Sequence, residues 1–170
     1  MLSARTFLSC FLLLTLTGCA GYKLGPSSGI APKEMSVEVM PFYNQTLEPR
    51  LSDAVMSQLR KEFQRDGTFD LATSGSGDII ISGVLTKYDR RALSFISSDV
   101  ETVQDYRVTL TAQVTAKERS TGKVLLDRPV NGYTLIRVGN DLVSTERQAL
   151  PLLAQDLARR ITTLLADGSW

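Results

Sequence analysis

The sharpest chemistry in this 170-residue sequence sits at Cys19. It closes the run Leu16-Thr17-Gly18-Cys19, an aliphatic residue, two small ones and a thiol. A thiol is the nucleophile that accepts a diacylglycerol group, and small residues before it let a peptidase reach the preceding peptide bond. The upstream context agrees. Met1 to Arg5 is short and positive, and Thr6 to Leu16 is apolar apart from small hydroxyls. That run has the length of a signal-peptide core and is too short to span a bilayer as a helix. The pattern matches the bacterial lipobox and predicts that Cys19 becomes a lipidated N-terminus. Several acyl chains on one residue anchor stably, because each buried CH2 contributes about 0.8 kcal/mol. Ala20 stands where an Asp would retain such a chain in the inner membrane, which points to the outer membrane.

The remaining residue types exclude much other chemistry. The sequence has no histidine, so His-based general bases, Ser–His triads and His-containing metal sites are out. Of the two cysteines, Cys10 leaves with the signal segment and Cys19 carries lipid, so no disulfide is expected. Gly75-Ser76-Gly77 lacks the lysine and the following helix of a phosphate loop and acts as a connector. Asn44-Gln45-Thr46 fits a glycosylation sequon by type, but in this setting predicts a turn. The charges, 19 basic against 18 acidic, become balanced once Arg5 is removed, which argues against a general nucleic-acid binder. Catalysis by carboxylates stays formally open, with Asp70, Asp78 and Asp89 as candidates by position.

The elements that must position these groups follow from periodicity. Residues 1–18 form the signal peptide, 19–34 a lipidated N-terminus and flexible Gly/Ser/Pro linker, and 35–170 one periplasmic domain. Met35, Val37 and Val39 alternate with polar residues in a first strand that Pro41 ends. Thr46 is the expected N-cap of a helix with Pro49 in its first turn, running to about Asp66. Leu47, Leu51, Val55, Leu59 and Phe63 form its stripe and Gly67 its stop. Phe69 to Ala72 is a short strand, and Ile79 to Tyr88 a longer one. In residues 103–117, Tyr106, Val108, Leu110, Ala112, Val114 and Ala116 share one face, and Asp105, Arg107, Thr109, Thr111, Gln113 and Lys117 the other. A turn at Ser120-Thr121-Gly122 leads into 123–138, where Pro129 and Asn131-Gly132 predict a bulge or bend. A second helix runs from about Ser144 to Ala166, with Pro151 either kinking it or marking its start. The fold class is α+β: a two-layer sandwich with two helices on one face of a mixed, largely antiparallel sheet of four to five strands.

Three blocks carry a family resemblance. They are Gly18-Cys19-Ala20-Gly21-Tyr22-Lys23-Leu24; the stretch from Val37-Glu38-Val39-Met40-Pro41-Phe42 through Asn44, Thr46, Glu48 and Pro49-Arg50-Leu51; and Asp78-Ile79-Ile80-Ile81-Ser82-Gly83. Together they resemble the outer-membrane lipopolysaccharide-assembly lipoprotein family LptE. Ala20 is an insertion relative to the usual spacing behind the cysteine. The resemblance implies a lipoprotein that plugs a large outer-membrane β-barrel of the LptD type, helps it assemble and binds lipopolysaccharide on its way to the cell surface. It implies no enzymatic activity and no cofactor, with the outer-membrane inner leaflet engaged through the lipid. Lipid A carries phosphates, which Lys and Arg bind best. Lys87, Arg90, Arg91 and Arg137 are the candidates, since a basic cluster results if their strand ends meet at one tip. Two alternatives stay open: a lipoprotein activating a peptidoglycan synthase, and a carboxylate-dependent enzyme. The short linker favours the barrel plug, because about a dozen residues reach only about 5–6 Å times the square root of their number.

Overall fold

The computed structural model describes residues 35–138 and 141–168. The signal segment, Cys19 and the linker lie outside the described residues. The elements are β1 (Ser36–Val39), β2 (Tyr43–Asn44), α1 (Leu51–Asp66), β3 (Asp70–Leu71), β4 (Ile79–Ile96), β5 (Asp99–Glu118), β6 (Val124–Arg137) and α2 (Leu142–Ala166). They build one mixed six-stranded sheet in the order β3-β1-β4-β5-β6, with β2 also on β4. The first three strands pair in parallel fashion, and β4, β5 and β6 form an antiparallel meander. Two helices on a mixed sheet is the expected α+β sandwich, with β2 and β3 as two-residue additions to its rim.

The strict alternation of β5 decides which side the helices occupy. Val108, Leu110, Ala112, Val114 and Ala116 are all buried, while Arg107 and Lys117 are exposed. Onto this face pack Leu51, Val55, Leu59 and Phe63 of α1 and Leu153, Leu157, Ile161 and Leu165 of α2, all fully buried. Small residues set the approach. A Cβ at Gly132 would lie 2.6 Å from the Leu157 Cβ, and one at Gly83 would lie 2.5 Å from a Phe42 ring carbon. No side chain could stand at either place without displacing its neighbour.

The helix starts differ from expectation. The first helix begins at Leu51, capped by Arg50 in the left-handed region (φ 64) with no side-chain cap bond. Thr46 and Pro49 therefore precede the helix, and Leu47 is not part of its stripe but fully exposed. The cause is Asn44, whose side chain takes the turn for itself. Its Oδ1 accepts from the Thr46 N–H (2.9 Å) and hydroxyl (2.8 Å), and its Nδ2 donates to the Glu48 carbonyl (2.8 Å). A local Asn cage of this kind competes with helical pairing. Gly67 does stop α1, with φ 72 and its N–H on the Phe63 carbonyl at 3.2 Å. The second helix starts at Leu142, capped by Asp141, and runs through Pro151.

The β4–β5 hairpin is longer than periodicity indicated, with 18 and 20 residues. Residues 94–101 are strand apart from the turn at 97–98. The irregularity expected near Pro129 is absent: β6 holds its register on β5 from Leu126 to Arg137. A bulge occurs instead in β4, between Leu85 and Lys87. Beyond Leu85, β4 has no partner on its β2 side among the described residues, so the hairpin continues as an arm.

The close approach of β6 and α2 is testable. Gly132→Ala should destabilise the domain by about 1–3 kcal/mol, as overpacking does in other cores. Denaturant unfolding measures this, and a wild-type midpoint would show that the helix does not sit on the glycine.

Candidate functional site

The bulge at Thr86 controls where the basic residues point. Before it, Ile79, Ile81 and Leu85 face the helices; after it, Tyr88 and Arg90 do, opposite the buried Leu110 and Val108. Inserting one residue shifts a period-two pattern by one. Neighbouring strand residues leave on opposite sides in any register, and the bulge decides that Arg90 takes the helix side and Arg91 the open side. Arg90 reaches α2, where its guanidinium lies 3.0 Å from the Glu146 carboxylate. Lys87 and Arg91 stand on the open face, opposite Thr111 and Arg107. Lys87 lies 3.7 Å from the Asp89 carboxylate. Arg137 is also on the open face, at the end of β6, and binds Asp105 at 3.0 Å. The four do not share one cluster: Lys87, Arg91 and Arg137 lie on one face of the arm's base, and Arg90 on the other.

Around Arg90 the loop 45–50, β4 and α2 enclose two adjoining clefts of about 480 and 570 Å3. Glu48 and Glu146 line both. Arg50, Val143, Arg147 and Leu150 line the first, and Leu47, Lys87 and Tyr88 the second. Glu146 accepts from the Tyr88 hydroxyl at 2.8 Å as well as from Arg90. Burial raises the Tyr88 pKa well above its ordinary value, and the hydrogen bond to Glu146 and the charges of Glu146 and Glu48 add to it. Sequence alone gave no sign of this cluster, since Tyr88 and Glu146 are 58 positions apart. On the open face, the Asp105 carboxyl is held below the usual range by the Ser94 hydroxyl and then by Arg137.

The carboxylates considered for catalysis have structural occupations. Asp78 accepts from the Ser36 N–H (2.8 Å) and hydroxyl (2.7 Å), which ties β1 to the start of β4. Asp70 sits on the other side of Ser36 on the rim strand, and Asp89 lies far along β4 beside Lys87. They converge on no common point. Among the described residues, no group of three or more Cys, Asp or Glu could hold a metal ion, and no helix is long and apolar enough to cross a membrane.

The Tyr88–Glu146 contact makes a pH prediction. Folded Tyr88 keeps its proton above its ordinary pKa of 10.0, whereas the unfolded chain loses it there. The stability it contributes is complete below that pH and is lost as pH rises through the folded value. Tyr88→Phe should cost about 1 kcal/mol at neutral pH, below the roughly 1.5–3 kcal/mol of a bond to a charged group because the site is only partly buried. It should also flatten the fall in stability above pH 10. Unfolding curves with identical alkaline slopes in both proteins would contradict this.

Comparison with known proteins fits this architecture. No curated protein matches the chain. Solved structures with the same fold include a minor lipoprotein from Acinetobacter baumannii, at TM-score 0.51 and 15% identity over 78% of this chain and 92% of that one. A protein from Xanthomonas campestris matches at TM-score 0.55 and 11% identity, over 85% and 92%. One from Chlamydia trachomatis matches at TM-score 0.53 and 11% identity, over 76% and 94%. At such identities these likenesses show the fold alone. The model of the family LptE, described as lipopolysaccharide-assembly, covers residues 35–165, the whole domain from β1 into the last turn of α2. The chain is therefore a member of the LptE family, lipoproteins of lipopolysaccharide assembly at the outer membrane that are not enzymes.

Proposed function

We propose that this chain is an outer-membrane lipoprotein, anchored in the inner leaflet through Cys19, whose domain plugs a large β-barrel of the LptD type. In this role it helps the barrel assemble and binds lipopolysaccharide during delivery to the cell surface. The observation that carries the reading is the uncovered sheet face. Both helices pack on one side, and the other presents Thr109, Thr111, Gln113 and Thr115 across a long flat surface. The interior of an outer-membrane barrel is itself polar, so such a face, with its threonines, glutamine and flanking charges, can meet it through hydrogen bonds and ion pairs. The arm formed by β4 and β5 extends past the helix layer and leaves one strand edge without a partner, which a barrel wall would shield from other chains.

Lys87, Arg90, Arg91 and Arg137 are the residues proposed to meet the phosphates of lipid A. Of these, Arg91 alone has no acidic partner among the described residues. Charge reversal of Arg90 and Arg91 together should weaken lipopolysaccharide binding by about tenfold, the effect of losing roughly 1.4 kcal/mol. An unchanged affinity would remove these residues from the role. For the plug, a photo-crosslinking residue at Thr111 should capture a barrel protein in intact cells, whereas one on the solvent side of α1, at Lys61, should not. Equal capture at both positions, or none at either, would count against an open-face contact.

A further inference from the structure

The open face holds an arrangement that costs the fold stability and that nothing in its packing requires. Arg91 of β4 and Arg107 of β5 stand directly opposite each other in the antiparallel ladder. Their Cβ atoms are then about 4.5–5.5 Å apart, a separation at which like charges destabilise a sheet. Both are exposed, and neither has an acidic partner among the described residues. On the other side of Arg107, its guanidinium carbon lies 5.3 Å from the centre of the Tyr133 ring. The same ring holds Arg160 of α2 at 5.0 Å, so one aromatic ring steadies two guanidiniums. Asp156 fixes this corner. It accepts from the Tyr133 N–H at 3.0 Å, on the outer edge of β6, and from Arg160 at 2.9 Å. Directly across from Arg107 on β6 stands Leu135, 59% exposed.

We infer that Arg91 and Arg107, with Arg107 steadied by Tyr133, form a clamp for a phosphate of a phosphorylated glycolipid, and that Leu135 meets the apolar part of the same molecule. The inference rests on the lipopolysaccharide reading above and locates one contact within it. Two guanidiniums facing each other without a carboxylate offer several N–H donors in forked geometry, the arrangement that suits a phosphate oxyanion. Binding the anion turns their repulsion into attraction. A row that runs from two cations to an exposed leucine suits an amphiphile better than a free ion. Arg160 keeps its own carboxylate partner and acts as a positioning residue that holds the ring.

The test uses full-length lipidated protein in mild detergent, with Arg91→Ala, Arg107→Ala, the double variant and Tyr133→Leu. Lipopolysaccharide affinity should fall at least tenfold in the double variant and by an intermediate factor in Tyr133→Leu. The melting temperature of Arg91→Ala should equal or exceed that of the wild type, because a like-charge pair has been removed; this also shows that the variant folds. Enzymatically dephosphorylated lipid A should bind the wild type as weakly as intact lipid binds the double variant. Inorganic phosphate should not displace the lipid at millimolar concentration; displacement would mean a general anion site and would overturn the glycolipid assignment. Wild-type protein that binds while the double variant binds equally well overturns the clamp and leaves the broader reading standing. Wild-type protein that does not bind lipopolysaccharide at all overturns both.

Discussion

Helices cover only one face of this sheet, and the period-two pattern of β5 enforces which one. From Tyr106 to Ala116 every second side chain is apolar, and from Val108 onward those chains are buried under α1 and α2. Three of the constraints on this layer are steric. Ala112 and Ala116 keep the surface low, Gly83 makes room for Phe42, and Gly132 lets α2 sit on the backbone of β6 at Leu157. Burying some two dozen apolar side chains there supplies the driving force for folding. The opposite face is left uncovered by the helices and carries polar and charged side chains such as Thr109, Thr111, Gln113 and Arg107.

The second organising feature is a single extra residue in β4. The bulge at Thr86 reverses the direction of the side chains from Lys87 to Ala92, where the next register shift begins, so the helix-facing set changes from Ile79, Ile81 and Leu85 to Tyr88 and Arg90. This sends Arg90 to the helix side, where it and Tyr88 both reach Glu146 and tie the start of α2 to the arm. It sends Arg91 to the open face beside Arg107. An arginine paired with Glu146 and one without an acidic partner among the described residues thus sit at adjacent positions.

Much of the fold was legible in the residues. The stripes of Leu51, Val55, Leu59 and Phe63, and of Leu153, Leu157 and Ile161, mark both helices. The alternation through 103–117 marks the central strand and its two faces. What was not legible were features set by side chains competing with the backbone or by long-range pairing. Asn44 cages its own turn and delays α1 past Pro49, leaving Leu47 in solvent. The arm of β4 and β5 alternates poorly because half of it lies beyond the helix layer, so burial no longer patterns it. The bulge has no local signature, and with it the choice of which of Arg90 and Arg91 faces the helices was invisible. Arg107 was placed correctly on the polar face, yet its opposition to Arg91 depends on register across the hairpin, which no single strand reveals.

The proposed role of this LptE-family domain as the internal partner of an outer-membrane barrel can be read from what it binds in the membrane. The most direct measurement is to tag the lipidated protein at its C-terminus, extract it from native membranes in mild detergent and identify what stays bound by mass spectrometry. A barrel plug should bring down one large β-barrel protein in near-equal amount. A peptidoglycan synthase in its place, or no stable partner, would contradict that role.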